Sequence, residues 1–420
     1  MSRTSEVATR VSIQERRTLR DLSKRVAEIA QLPIQDERIE FWRALNSLTP
    51  VRTMVLATPE EGWHELMSEG DLECKNPLCR EWEWALRWKI FRHEHIHDDY
   101  PISDFFDVAW VARVSGYGVK EAQIRAGHGG PGTYKVDPPI KSTSDFARMR
   151  PRRIVVDHDT TVRHLDLARD VLGDILRVRE QGETMCRNML TRQLIHLRGY
   201  DQFLIDMHEN PGLLHDMMSF LRDEKLREWR LYEREGVLSL NNGPDHILGS
   251  GGVACLNQLP GAEFEGHVRM KDMWCFGESQ ETIGVSPQHF FEYVLQYQLP
   301  LMEHFALVDY GCCEPLDDRF DVLIEHIPHL RWLAVHPWAD RARAAEKIGD
   351  RYVYAYKPHP STISGPKPDY ASAEKEIRET LSIAADCCVS LTLKGTLTFY
   401  HEPQRLTRWI DMAQRVVAET

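Results

Sequence analysis

Apolar positions along the chain change period several times. Between 14 and 48 they recur at helical spacing. Leu19, Leu22, Val26 and Ile29 mark one helix, Pro33 interrupts, and Ile39, Trp42, Leu45 and Leu48 mark a second. Met54 to Ala57 reads as a short strand, and 59–100, rich in Trp, Glu and Arg, reads as helical, a cap or a dimer arm. Residues 115–150 lose all periodicity. Gly127-His128-Gly129-Gly130-Pro131-Gly132 and Pro138-Pro139 predict a long loop, a lid or a linker, and a domain boundary near 150.

Beyond 150, short apolar runs alternate with amphipathic stretches. The runs are 153–156, 237–240, 269–275, 305–310, 331–335, 352–356 and 388–393, and helical patterns fill 211–235, 287–303, 317–327, 340–348 and 371–385. The pattern over 165–210 does not fix the register of its strands. Such alternation predicts parallel strands joined by helical crossovers. The 420 residues accommodate one α/β barrel after an N-terminal extension, since such barrels need about 250 residues. The expected organisation is an N-terminal helical extension over 1–150 and a barrel over 151–420.

Charge and composition narrow the partners. A net charge of −12 with dispersed Lys and Arg argues against nucleic acid and against an anionic membrane surface. No apolar run approaches the ~18 residues of a membrane span, and the first twenty residues are polar, unlike a secretory signal. Nine cysteines, an odd number with two adjacent pairs, do not suit a disulfide framework. They point to a reducing, cytoplasmic setting in which most act as small buried hydrophobes.

In a parallel barrel the chemistry sits at the C-terminal ends of the strands. That rule selects Asn241, Asn242, Asp245 and His246 after 237–240; Glu278, Gln280 and Glu281 after 269–275; Cys312, Cys313 and Glu314 after 305–310. It also selects His336 after 331–335, Lys357 and His359 after 352–356, and Lys394 after the last run. Cys312-Cys313-Glu314 is the sharpest cluster. Thiolate and carboxylate suit zinc, with Glu278 or His336 completing the set; the plainer alternative is that the cysteines pack and Glu314 caps a helix near 317. His93, His95 and His97 alternate outside the rim and read as a solvated patch. Gly249-Ser250-Gly251-Gly252 lacks the spacing of nucleotide-binding loops and reads as a backbone turn near substrate. No nucleophile elbow is present.

Several stretches resemble the uroporphyrinogen decarboxylase-like superfamily. They are Arg198-Gly199-Tyr200, LNNGPDHILGSGG (240–252), KDMWCFGESQETIGVSP (271–287), VDYGCCEPLDDRFDVL (308–323), HPWAD (336–340), YKPHPS (356–361) and SLTLKGT (390–396), followed by EPQRLTRWIDMAQ (402–414). The resemblance implies a (β/α)8 TIM barrel with the site at its C-terminal mouth. The arginine-rich signature of the decarboxylases has no counterpart, and Lys394-Gly395 stands where their last-strand histidine motif would fall. The methyltransferase branch carries a zinc site of His-x-Cys and a later Cys. Tyr310-Gly311-Cys312 and Lys394 occupy those places here, leaving Glu278, Glu314 or His336 as replacement ligands.

The favoured expectation is methyl transfer from a small methylated, perhaps methoxylated, substrate to a corrinoid on a separate protein. Glu278, His336 and Lys394 are the expected catalytic residues. Asn241, Asn242, His246, Gln280, Tyr310 and Lys357 are expected to bind substrate, and Cys312, Cys313 and Glu314 to bind zinc. Without zinc, Glu278 or His336 would act as general acid. The alternatives are a cofactor-free decarboxylase, with Lys394, Lys357 and Arg198 holding carboxylates, and a non-catalytic corrinoid- or tetrapyrrole-binding protein. A homodimer follows from the resemblance alone. The Trp- and Arg-rich segment 80–92 is either an interface or a cap.

Overall fold

A computed structural model describes residues 10–120, 122–125 and 134–420. The Gly127–Gly132 segment, read above as a lid or linker, lies outside the described residues. The first two helices form as the periodicity predicts, over Ile13–Ala30 and Pro33–Asn46. The first is closed by a capping box in which Ser12 and Glu15 satisfy each other's backbone N–H groups.

The chain is mixed α/β. Its strands are β1 (Met54–Thr58), β2 (Phe105–Ala109), β3 (Ala112–Val114), β4 (Ala122–Arg125), β5 (Tyr134–Asp137), β6 (Ile154–Val156), β7 (Arg177–Gln181), β8 (Cys186–Asn188), β9 (Trp274–Gly277), β10 (Leu307–Tyr310), β11 (Leu330–Val335), β12 (Val353–Tyr356) and β13 (Cys388–Lys394). Seven form one sheet in the order β1-β13-β12-β11-β10-β9-β8, and every pairing in it is parallel. β2 and β7 form a separate parallel pair, and β3 with β6 and β4 with β5 form antiparallel pairs. The sheet is that of a TIM-like barrel but is not closed, because β1 and β8 are not paired.

Three expectations change. The run 153–156 forms β6, which pairs with β3 outside the main sheet. The run 237–240 contributes a single parallel bridge, Glu183 to Leu238, instead of a strand. The sheet also disregards the boundary near 150, since β1, from the expected extension, hydrogen-bonds β13 along its whole length.

The open edge at β1 has a physical cause. Alternate backbone groups of a strand point to opposite neighbours, and those of Val55 and Ala57 face away from β13. Side chains after the helix Pro77–Phe91 take up that edge. Asp99 accepts from Val55 N–H at 2.7 Å and Asp98 from Ala57 N–H at 2.9 Å, while Arg92 donates to the Ala57 carbonyl at 2.7 Å. Two carboxylates and a guanidinium stand where a neighbouring strand would pair.

Residues of the sheet alternate between two cores. Leu333, Val335, Tyr354, Tyr356, Leu391 and Leu393 share one with Ile377, Leu406 and Trp409 of the crossover helices. Met54, Leu56, Trp274, Trp332, Val353 and Ala355 share the other with Leu248 and Val253–Leu256. The segment 246–256 therefore plugs the inner face of the sheet. It folds back on itself through the Ile247–Val253 bridge and a Leu248 N–H to Gly252 carbonyl bond of 2.6 Å. Asn46 anchors it from the second helix, donating to Val253 and Cys255 carbonyls at 2.9 and 2.7 Å and accepting from the Trp332 indole at 2.8 Å.

Glycine is required in this plug by close approach. A Cβ on Gly249 would lie 2.2 Å from the Phe276 ring, and one on Gly252 would lie 1.9 Å from the Trp332 ring. Gly252→Ala is expected to destabilise the fold by about 1–3 kcal/mol or more through overpacking. Urea unfolding reads this as a lower midpoint at unchanged slope; an unchanged midpoint would mean that the plug relaxes freely.

Candidate active site

The strand ends bring together part of what the sequence nominated. Glu278 follows β9, Cys312 and Cys313 follow β10, Lys357 follows β12, and Lys394 ends β13. Lys394 Nζ donates to the Gly249 carbonyl at 2.7 Å and to Cys312 Sγ at 3.8 Å. Lys357 is buried and donates to the Cys312 carbonyl.

Glu278 is fully buried. Its Oε2 accepts the Gln280 N–H at 3.0 Å, while its Oε1 has no hydrogen-bond partner among the described residues. Burial, then the nearby carboxylates of Glu281 and Glu314, push its pKa up to about 8, with the sulfur of Cys312 adding to the rise. Glu278 is thus a carboxylic acid at neutral pH.

Cys312 shifts the opposite way. A hydrogen bond from the Cys313 thiol, with Sγ atoms 3.5 Å apart, lowers its pKa, and the charges of Lys357 and Lys394 lower it further against the effect of burial. Cys312 is the thiolate of the pair and Cys313 keeps its proton. Lys394→Met is accordingly expected to slow alkylation of Cys312 by iodoacetamide at neutral pH and to move the alkylation midpoint upward. Mass analysis of the Cys312 peptide across a pH series checks this; an unmoved midpoint would remove Lys394 from the thiolate's support.

Other nominees have structural roles. Glu314 is buried with both oxygens committed, Oε1 to Ser279 N–H at 3.0 Å and Oε2 to Cys312 N–H at 2.9 Å. It fixes the turn after β10 instead of offering a metal ligand. Among the described residues no group of three or more His, Cys, Asp or Glu is placed to hold a metal ion. The expected zinc set does not fit, and no step is assigned to it.

Asn241 ties backbones, donating to Thr184 and Trp274 carbonyls at 2.8 and 3.0 Å and accepting Trp274 N–H at 2.9 Å. The Asn242 amide donates to Leu256 and Leu259 carbonyls. The Tyr310 hydroxyl is enclosed between Gln298 at 3.0 Å and Ser279 at 3.1 Å. Gln280 is half-buried and reaches Glu278 through its backbone.

His336 lies against Trp338, ring centroids 4.9 Å apart. Burial, with the charge of Lys357, lowers its pKa to about 4, so it is neutral and not an acid at pH 7. The sequence reading missed Asp309, which lies in β10 beneath the cluster. It accepts Ser250 N–H at 2.8 Å and the Ser250 hydroxyl. Burial raises its pKa to about 6. An aspartate inside the apolar run 305–310 was the signal available.

A cavity of 570 Å³ opens beside this cluster. Trp84, Trp88, Phe105, Trp274 and Phe276 give it aromatic walls, and Lys89, Asp245 and His246 give it a polar side. Asp245 is neutralised there by Lys89 and Arg179 at 3.2 and 3.1 Å. The Trp-rich segment 80–92 thus packs as a wall of this cavity. Gly249 lines the cavity and also holds Lys394, so the cavity and the cluster share the tip of the plug.

Among the described residues no helix is long and apolar enough to cross a membrane. No protein-family model matches the sequence, and no curated protein matches it. Among solved structures, a methyltransferase from Methanosarcina mazei superposes with a TM-score of 0.45 at 10% identity, over 89% of this chain and 97% of that one.

Proposed function

We propose that this protein is a methyltransferase that moves a methyl group from a small methoxylated compound to a corrinoid carried by a separate protein. The observation that carries this reading is the protonated, buried carboxyl of Glu278 with one oxygen unpartnered. Loss of a methyl group from an ether leaves an alkoxide, a poor leaving group unless protonated. A positioned acid whose pKa lies near the working pH supplies that proton most effectively. Glu278 would give its proton to the leaving oxygen and recover it from solvent. Cys312, held by Lys394, would keep Glu278 protonated through its negative charge. The aromatic walls around His246 would hold the substrate's flat or apolar body. A corrinoid, when bound, would supply the methyl acceptor; the other duties fall to this chain's own side chains.

Decarboxylation has less support. It calls for free cations to hold carboxylates, yet Lys394 and Lys357 are engaged around Cys312, and Arg198 is buried against Asp206 at 2.6 Å.

The test is a panel of methoxylated aromatic and aliphatic compounds incubated with the chain and free cob(I)alamin, with methylcobalamin read by absorbance. Methylcobalamin formed with one substrate class supports the reading. Release of carbon dioxide from uroporphyrinogen, with no methyl transfer from the panel, would replace it with decarboxylation.

A further inference from the structure

The sequence holds two adjacent cysteine pairs, and the fold treats them differently. Cys388 is buried in β13, and Cys387 donates to the Ala345 carbonyl. Cys312 and Cys313 instead lie in the turn after β10 with sulfurs 3.5 Å apart, one half-buried and the other exposed. Six of the remaining cysteines, Cys74, Cys79, Cys186, Cys255, Cys275 and Cys388, are buried. Cys312-Cys313 alone thus combines sulfur contact, access to solvent and an adjoining cation, Lys394.

We infer that Cys312 and Cys313 form a dithiol that closes reversibly to a vicinal disulfide on reaction with low-molecular-weight disulfides, a redox modification site at the mouth of the sheet. The Cys312 thiolate attacks one sulfur of the small disulfide. A mixed disulfide forms at Cys312, the original S–S bond breaks, and one thiolate leaves to take a proton from solvent. Cys313 then gives its proton to solvent and its sulfur attacks Cys312 Sγ, expelling the second small thiol. Two electrons pass from the pair to the small disulfide, and the products are the vicinal disulfide and two thiols.

Reversibility follows from chain geometry. Adjacent Cα atoms are about 3.8 Å apart, below the ~4.4 Å lower end of ordinary disulfides. The closed ring is therefore strained, and strained, accessible disulfides are the ones that small thiols reopen. Closure also removes the thiolate charge beside Glu278. On the proposed function this would lower the Glu278 pKa and leave less of that carboxyl protonated to act as the acid; the modification itself does not depend on that reading.

The test equilibrates the full chain with glutathione disulfide and glutathione in varied ratio, alkylates what remains free, and weighs the peptides. The peptide with Cys312 and Cys313 is expected to become lighter by two hydrogens, with alkylation down at least about tenfold at oxidising ratios. Added reductant should restore it, while Cys387 and Cys388 remain reduced. Cys313→Ser is expected to stop at a mixed disulfide on Cys312, and Cys312→Ser to form neither product. Full alkylation of both cysteines at every ratio, or a wild-type chain that halts at the mixed disulfide, would overturn the inference. Methyl transfer is not measured, so failure here is distinct from failure of the proposed function.

Discussion

Glu278→Gln is expected to lower the rate of methyl transfer by about 10²–10⁴-fold, the range for loss of a positioned general acid. The substitution keeps the shape and removes the transferable proton. Wild-type kcat/KM should fall as pH rises through about 8, where Glu278 ionises, and the residual activity of the variant should lack that limb. A variant with full activity and an unchanged pH profile would remove Glu278 from the mechanism.

The same residue has a consequence for stability that needs no substrate. Its carboxyl stays neutral in the fold up to about pH 8 but ionises in the unfolded chain near its ordinary value of 4.5. Between those values the unfolded chain binds fewer protons, so this group makes the fold less stable as pH rises. The loss accumulates at about 1.4 kcal/mol per pH unit at most. Glu278→Gln lacks it, so its stability relative to wild type should improve between pH 5 and 7.5 by on the order of a few kcal/mol. Urea unfolding of both proteins at the two pH values measures this. A constant difference would mean that Glu278 is already ionised in the fold.

Arg92→Met is expected to cost about 3–5 kcal/mol, the range for removing one partner of a buried ion pair. Arg92 and Asp98 are each 1% exposed. The guanidinium donates to Asp98 and to the Ala57 carbonyl, and it packs 4.4 Å from the Tyr100 ring centroid. Methionine fills similar volume but leaves the buried Asp98 carboxylate without its counter-charge, holding only backbone N–H donors, and the Ala57 carbonyl without the guanidinium. Because these groups occupy the open edge of β1, the loss should appear in global unfolding. A loss below about 1 kcal/mol would mean that water reaches the edge and replaces the guanidinium.

The periodic strands β10 to β13 were legible in the chain, because buried parallel strands are near-continuous apolar runs and their crossovers are amphipathic; the run 269–275 overlaps β9 only at Trp274 and Cys275, after a 3-10 turn over Met270–Asp272. The strand-end rule then selected Glu278, Cys312, Cys313, Lys357 and Lys394 without coordinates. It also selected Asn241, Asn242 and Glu314, since a polar residue after a strand looks the same whether it faces a ligand or the backbone. Only the fold distinguishes the two, by showing which amide and carboxylate atoms are already used.

β7 and β8 lie in the stretch 165–210, where the pattern does not fix the strand register. β7 reads RVREQ and is only partly buried, so it carries no apolar run to detect. β1 could be read as a strand, but nothing local said that its partner lies more than 300 residues away in β13. The sequence by itself determined the later strands β10 to β13, the helical crossovers between them and part of the chemistry at their ends, because those follow from local period and side-chain type. Tertiary structure alone decided that the glycine-rich turn plugs the sheet, that two aspartates and an arginine close its open edge, and that Glu278 is an acid while Cys312 is a thiolate. Those outcomes depend on distance and desolvation between residues far apart in the chain, and local sequence does not encode them.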